Sequence, residues 1–338
     1  MPRVVAIDAE GPGFVDAMRR AWDEGDAVAP VDPRLPRAAR EKALLAFRLH
    51  EPVEHGDALV VATSGTSGEP KAVVLTHDAV AASARASNAA LDVGGNDAWL
   101  SCLPLSHIGG LSVITRALHA GVAVTFDGTA TLVSVVPTML RRMDASRFRR
   151  VLLGGAAAPH GLPPNVIRTY GMTETGSGIA YDGRALDGVE LRVVGGEVHV
   201  RGPQLFRCYR DGTDPTDEDG WFATGDAGWI DDGVLHVDGR IGDVINTGGE
   251  KVWPVAVERS LEGVSGVAEV AIAGRADEEW GQRVVAFVVP TDAANPPTLD
   301  ALRDQVKETL PAYCAPKELV LLDTLPRTAS GKVQRDRL

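Results

Sequence analysis

The residues of this chain whose types and spacing could do chemistry fall into four separated groups. The first is Thr63-Ser-Gly-Thr-Ser-Gly-Glu-Pro-Lys71. Gly65 and Gly68 let backbone amides come close to an anion, the hydroxyls of Thr63, Ser64, Thr66 and Ser67 add donors, and Lys71 adds positive charge. That is the composition of a phosphate cradle. It departs from the Walker pattern G-x-x-x-x-G-K-[ST], because Glu69 and Pro70 separate the second glycine from the lysine, so an ordinary P-loop NTPase is disfavoured. A plain Gly/Ser turn stays open as the alternative.

The second group is Tyr170-Gly-Met-Thr-Glu-Thr175. An aromatic ring beside a glycine can stack on a base, while Thr173 and Glu174 offer oxygens to phosphate and to a hard cation such as Mg2+. In the third, Thr224-Gly-Asp226, a carboxylate in a glycine-flanked turn can accept two ribose hydroxyls, with Arg240 of Gly-Arg-Ile-Gly-Asp243 following. An Asp that merely caps a hairpin gives the same pattern. The fourth, Thr328-Ala-Ser-Gly-Lys332, sets a lysine on a glycine turn near the C-terminus, where a solvated charge is the ordinary reading.

The elements that must position these groups read as α/β. The apolar run Ala58-Leu-Val-Val-Ala62 is that of a buried parallel strand, so the first group leaves a strand end. Further strands are expected at 4–7, 98–103, 122–126 and 150–153, with helices at 13–22, 38–49, 77–91 and 111–119. The strand at 150–153 runs into Gly154-Gly155, and a strand end followed by glycine marks a ligand crevice. From about Val189 the texture becomes β-rich, with hairpin turns expected at Gly195-Gly196, Asp231-Asp-Gly233 and Asp238-Gly239. After Arg240 the pattern changes to βαβ, which sets a domain boundary; Asn295-Pro-Pro297 reads as a surface loop. The fold class expected is α/β: a large N-terminal α/β domain with an added β-rich layer over 1–241, then a small mobile C-terminal α+β domain over 242–338.

Bulk composition narrows the function. A chain of 338 residues, 44% hydrophobic and 24% charged, has the make-up of a soluble globular protein of about two domains. A formal charge of -12 lacks the basic footprint that nucleic acid requires. Cys102, Cys208 and Cys314 form no C-x-x-C pair, so neither a disulfide framework nor a zinc site is expected. No apolar run approaches the roughly 20 residues of a membrane span, and the N-terminus has no cationic segment leading into an apolar one. A cytoplasmic protein is expected.

Taken in order, the four groups resemble the acyl-adenylate-forming superfamily of acyl-CoA synthetases, peptide-synthetase adenylation domains and luciferases, from about Val4 to the end. Within it, Leu103-Pro-Leu-Ser-His-Ile-Gly-Gly-Leu-Ser-Val113, Val136-Pro-Thr138 and Leu152-Leu-Gly-Gly-Ala-Ala-Ala-Pro159 are most similar to the o-succinylbenzoate:CoA ligase family of menaquinone biosynthesis. The resemblance implies two half-reactions: a carboxylate and ATP give acyl-AMP and pyrophosphate, then CoA displaces AMP. It implies that residues 63–71 hold the β- and γ-phosphates, Glu174 binds Mg2+, Tyr170 stacks on adenine framed by Gly154, Gly155 and Ala156, Asp226 binds ribose, Arg240 contacts ribose or phosphate, and Lys332 is the adenylation lysine. Negative charge spreading over the α-phosphate in the transition state gives that lysine its physical role.

For an aromatic dicarboxylate, Arg116 is implied as the recogniser of the second carboxylate, His107 as a wall of the acyl pocket and Ser177 as a further lining residue. A helical arginine is more often at the surface. Gly248, Gly249 and Lys251 are implied to line the CoA tunnel once the C-terminal domain has rotated about Gly242; a plain glycine turn is the alternative for them. Other members of the superfamily often carry Asp, Lys or Ser at the hinge, and their phosphate loop comes later than Thr63, so a subdomain's worth of leading residues is expected to be missing. That shortening bears on a possible homodimer. Rival readings are another aryl- or fatty-acyl-CoA synthetase, a phosphate-releasing NTPase and a non-catalytic nucleotide-binding relative.

Overall fold

The continuous apolar run at 58–62 marks a strand covered on both faces, and a computed structural model, which describes residues 1–63, 70–155, 161–327 and 333–338, shows what covers it. The first sheet is built from β1 (Val4–Ile7), α1 (Gly11–Asp23), β2 (Ala27–Pro30), α2 (Arg37–Phe47), β3 (Asp57–Thr63) and β4 (Lys71–Thr76). Leu59, Val61, Val73 and Leu75 face a core shared with Phe14 and Met18 of α1. The alternate positions Val60, Ala72 and Val74 pack with Phe47 of α2 on the other side. β3 is parallel to β2, as expected, but antiparallel to β4. The phosphate-cradle segment therefore spans a hairpin, with Thr63 and Lys71 paired across its base. α3 (His77–Ala90) follows directly, started by Thr76, whose hydroxyl accepts the Ala79 N–H at 3.1 Å.

Next come β5 (Ala98–Leu100), α4 (Ile108–Ala120), β6 (Ala123–Thr125), β7 (Leu132–Val135), α5 (Pro137–Leu140), β8 (Arg150–Leu153) and β9 (Val166–Met172). Their strands run parallel in the order β6-β5-β7-β8-β9. The sheet then turns antiparallel through β10 (Ser177–Tyr181), β11 (Arg184–Ala185), β12 (Glu190–Val194) and β13 (Glu197–Arg201). β14 (Cys208–Tyr209) returns to the first sheet and pairs antiparallel with β4. β15 (Phe222–Asp231) and β16 (Val234–Arg240) complete an eleven-stranded second sheet. α3 and α4 pack on each other; α3 touches strands of both sheets and α4 packs on the second.

Gly195 and Gly196 have φ of 60° and 87°, and Asp232 and Gly233 have 46° and 71°, the positive pairs that two-residue hairpins need. Asp182-Gly183, at 47° and 81°, makes a third such turn that the sequence reading passed over. Asp238-Gly239 does not turn the chain: both residues lie inside β16, which stays paired to β15 through a register shift at Ala227/Gly228.

The rest of the chain forms its own core, in which Ile245, Val257, Ile272, Val284, Leu302 and Val306 pack together. Its elements are β17 (Ile245–Thr247), β18 (Glu250–Val252), α6 (Pro254–Ser260), β19 (Val267–Asp277), β20 (Gly281–Pro290), α7 (Leu299–Thr309) and β21 (Glu318–Leu321). The βαβ pattern is realised in β20-α7-β21, where the strands are parallel; β19 and β20 form an antiparallel hairpin. Asn295-Pro-Pro297 is a loop, with Pro297 buried near Gly266. The architecture is the mixed α/β fold expected.

Candidate active site

The phosphate-cradle segment expected from the sequence joins β3 to β4. Thr63 Oγ1 donates to the Lys71 carbonyl at 3.3 Å, which closes the base of the loop. Ser64, Gly65, Thr66, Ser67 and Gly68 lie outside the described residues. The Lys71 ammonium stands 4.8 Å from the centroid of the Tyr209 ring. The Tyr209 hydroxyl in turn donates to Glu174 Oε1 at 3.1 Å, and the Phe206 N–H donates to the Glu174 carbonyl at 2.8 Å. Burial and the Glu174 charge push the Tyr209 hydroxyl far above its usual range, so it remains a donor. Thr173 and Glu174 belong to a single helical turn, Thr173–Thr175, between β9 and β10.

The residues expected to meet the nucleoside also share contacts. Asp226 and Arg240 are direct partners across β15 and β16, with Arg240 Nε 2.9 Å from Asp226 Oδ1. Tyr170 donates its hydroxyl to Asp226 Oδ2 at 2.8 Å, and Arg240 Nη1 donates to the Thr224 carbonyl at 2.8 Å. Asp226 is thus a strand residue held by two side chains, and the hairpin-cap reading does not apply. Burial first, then the Asp226 charge, raises the Tyr170 hydroxyl well above its usual range. Arg240 also opposes the rise of the Tyr209 hydroxyl, so the two groups of residues lie within electrostatic reach of each other. At the end of β8 a Cβ on Gly154 would come within 2.6 Å of Thr169 Oγ1 of β9, and Gly155 has φ of +82°, so close packing and backbone conformation both favour glycine at this strand end. Ala156 lies outside the described residues.

On the acyl side, α4 starts tightly, because a Cβ on Gly110 would lie 2.3 Å from the Pro104 carbonyl oxygen. His107 is the residue before this helix and is half-buried. Arg116 is only 4% exposed. Its Nη1 donates to Ser134 Oγ at 3.3 Å, its Cζ stands 5.4 Å from the Trp99 ring, and its Nε has no partner. Among the described residues no carboxylate pairs with it. Ser177 is buried and its hydroxyl shares a 2.6 Å hydrogen bond with Ser83 of α3, which ties it to the α3/β10 contact rather than to the Arg116 group.

Farther along, Gly242 sits in the exposed helical turn Ile241–Asp243, where an added Cβ meets nothing within 4 Å. Gly248 and Gly249, at φ of 61° and 86°, turn β17 into β18, and Lys251 is exposed opposite Asn246. A Cβ on Gly248 would meet the Trp280 ring at 2.8 Å. Lys332 lies outside the described residues. Its flanks are fastened: Arg327 bridges Val333, and Arg335 holds Glu258 at 2.7 and 2.9 Å, Asp243 at 3.3 Å and the Ile272 carbonyl at 3.1 Å.

Among the described residues no three His, Cys, Asp or Glu side chains cluster to hold a metal alone. Glu174 still suits Mg2+, which takes one or two carboxylates and completes its shell with water and phosphate oxygens. Its Oε2 accepts no hydrogen bond from the described residues. Two residues of the site escaped the sequence reading as functional: Tyr209, which carries no motif, and Thr224, quoted only as part of T-G-D.

The model of the AMP-binding enzyme family matches residues 16–210, and that of the AMP-binding enzyme C-terminal domain matches 256–332. The chain belongs to the AMP-binding enzyme family. Within it, the chain is 40% identical to a probable 2-succinylbenzoate–CoA ligase of Mycobacterium tuberculosis, over 88% of each chain. It is also 35% identical to indoleacetate–CoA ligase of Aromatoleum aromaticum, over 98% of this chain and 73% of the relative. The solved structure of E. coli MenE with a phenylether-linked OSB-AMS analogue superposes with TM-score 0.79 at 28% identity, over 99% of this chain and 87% of that one. For o-succinylbenzoate CoA synthetase (MenE) of Bacillus subtilis with ATP and a magnesium ion the values are 0.77, 28%, 99% and 83%.

Proposed function

We propose that this protein is an ATP-dependent acid:CoA ligase whose acid is o-succinylbenzoate. The observation that carries the choice is Arg116. A buried guanidinium with a neutral hydroxyl partner and an unpaired Nε suits a ligand that brings its own negative charge into the crevice. A dicarboxylate can leave one carboxylate on Arg116 and present the other to ATP.

In this reading the presented carboxylate attacks the α-phosphorus, the bond to the bridging oxygen breaks, and pyrophosphate leaves with the electron pair. Residues 63–71 hold the leaving phosphates, Lys332 faces the charge that develops on the α-phosphate, Asp226 and Arg240 hold the ribose, and Tyr170 with residues 154–156 frames adenine. Glu174 would hold magnesium, which would supply charge neutralisation on the phosphates. The thiol of CoA then attacks the acyl carbon and AMP departs, leaving o-succinylbenzoyl-CoA. Rotation of the segment 242–338 about Gly242 exchanges Lys332 for the face of Gly248, Gly249 and Lys251. His107 completes the acyl wall, and Ser177, bonded to Ser83, acts only behind it.

A monocarboxylate such as an arylacetate is the second reading, favoured by the match to the indoleacetate ligase over nearly the whole chain. Arg116 argues against it. Product chromatography and pyrophosphate release across a panel of acids test both: o-succinylbenzoate should turn over with AMP and pyrophosphate as products. Turnover of arylacetates or benzoates with none of o-succinylbenzoate refutes the substrate; ADP and phosphate refute the reaction. We also read the protein as cytoplasmic and able to form a homodimer. Free Cys102, Cys208 and Cys314 fit a reducing compartment, no described helix is long and apolar enough to cross a membrane, and light scattering tests the dimer.

A further inference from the structure

We infer that Tyr209 is a positioning residue that couples the phosphate-loop lysine to the metal-binding carboxylate, holding Lys71 over its ring and Glu174 by its hydroxyl. The inference rests on the reading of the site as one that adenylates an acid with magnesium and ATP. Three observations carry it. β14 is only two residues long, and its pairing with β4 sets Tyr209 opposite Val73, on the face of β4 that Lys71 shares two residues earlier. The Lys71 ammonium is 4.8 Å from the ring centroid, while the hydroxyl donates to Glu174 Oε1 at 3.1 Å. The same short segment grips Glu174 a second time, through the Phe206 N–H and the Glu174 carbonyl at 2.8 Å.

Ring packing alone does not account for the hydroxyl. Phe206 lies 5.0 Å from the Tyr209 ring and 5.2 Å from Phe222, so a phenylalanine at 209 would fill the same aromatic cluster. Its oxygen, in a half-buried place, is instead directed at a carboxylate. Donation to Oε1 restrains the side chain and leaves Oε2 for a cation, while the ring face keeps Lys71 from folding onto Glu174 and neutralising it. One side chain thereby separates a cation and an anion that would otherwise pair, and holds each available to the triphosphate.

Tyr209→Phe removes only the hydroxyl and Tyr209→Leu removes the ring as well. Manganese binding with ATP, read by electron paramagnetic resonance, and metal-free ATP binding, read by calorimetry, separate the two contributions. For Tyr209→Phe the dissociation constant for manganese with ATP should rise about tenfold, the loss expected of a hydrogen bond to a charged group, with metal-free ATP unaffected. Tyr209→Leu should weaken metal-free ATP as well, by roughly threefold, as expected of a lost cation–π contact. The KM for the acid should stay at the wild-type value in both. Wild-type manganese affinity in Tyr209→Phe, with its thermal midpoint unchanged, overturns the inference. If the wild-type protein itself neither binds manganese with ATP nor releases pyrophosphate, the adenylation reading falls first and this inference with it.

Discussion

Replacing Arg116 by methionine keeps the length of the side chain and removes its charge. Arg116 is 4% exposed; its guanidinium donates to one neutral oxygen at 3.3 Å, stands 5.4 Å from the Trp99 ring and leaves Nε unpaired, so a modest gain is set against a desolvation cost. Arg116→Met should therefore leave stability unchanged or raise it by about 1 kcal/mol, which is a gain of about 1–2 °C in melting temperature for a chain of this size. The substrate sees the opposite sign. A carboxylate about 4 Å from the cation at an effective dielectric of about 20 is worth about 4 kcal/mol, of which desolvation leaves roughly 2–3. Adenylation should thus lose roughly 30- to 200-fold in kcat/KM for o-succinylbenzoate. For 4-oxo-4-phenylbutanoate, which lacks the ring carboxylate, the change should be less than about threefold, and the KM for ATP should not move. Coupled pyrophosphate assays on the two acids and a thermal melt of the variant provide the comparison. An equal loss on both acids, or a variant that melts well below the wild type, would refute the reasoning.

Other expectations follow from the same contacts. Tyr170→Phe deletes the 2.8 Å hydrogen bond to Asp226 and should raise the KM for ATP about tenfold with kcat little changed, measured by pyrophosphate release at saturating acid. Lys332→Ala should lower the adenylation rate by about a hundredfold or more while thioester formation from supplied acyl-AMP continues; an unchanged adenylation rate rejects its role. Gly242→Ala should be tolerated or add roughly 0.5 kcal/mol, because an added Cβ meets nothing there, and should slow the CoA-dependent step rather than adenylation. Asp97 is raised by burial but lowered more by hydrogen bonds from Arg149, Thr131 and the Gly94 N–H, to about 2. A depressed carboxylate stabilises the fold above its unfolded value near 4 and loses that contribution as the pH falls toward about 2, so urea titrations of Asp97→Asn should show a flatter loss of stability across that window.

Much of this molecule is legible because period and punctuation coincide. The double-sided burial of β3 is written in its unbroken apolar run, and the turns at Gly195-Gly196 and Asp232-Gly233 in residues that tolerate positive φ. The same rule misplaced a turn at Asp238-Gly239. An Asp-Gly pair permits a turn without requiring one, and continued pairing with β15 outweighed it. The antiparallel sense of β3 and β4 could not be read either, since a loop of hydroxyls and glycines looks the same leading to a crossover or to a hairpin. Arg116 illustrates a different limit. Nothing within α4 distinguishes a helical arginine that faces solvent from one that faces Ser134 and Trp99; only the packing of α4 against β7 and β5 decides it.

Tyr209 marks where reading by motif ends. Lys71 and Glu174 each sit in a recognisable segment, yet the residue that joins them lies 35 positions beyond Glu174 in a two-residue strand whose only apparent task is to pair with β4. The Tyr209–Glu174 hydrogen bond also links the first two sheets at the site: Lys71 and Tyr209 come from the first, while Glu174 lies between β9 and β10 of the second. A ligand that needs both residues must then find the two sheets in register, and β14 supplies the register before any ligand arrives. On the proposed reading, the lysine of the 63–71 segment therefore depends on β14 for its place. That strand comes from the far side of the motif it serves, so Tyr209→Leu should disturb triphosphate binding more than any equally conservative change within β4 itself, with Val73→Ala as the matched comparison in the same binding assay.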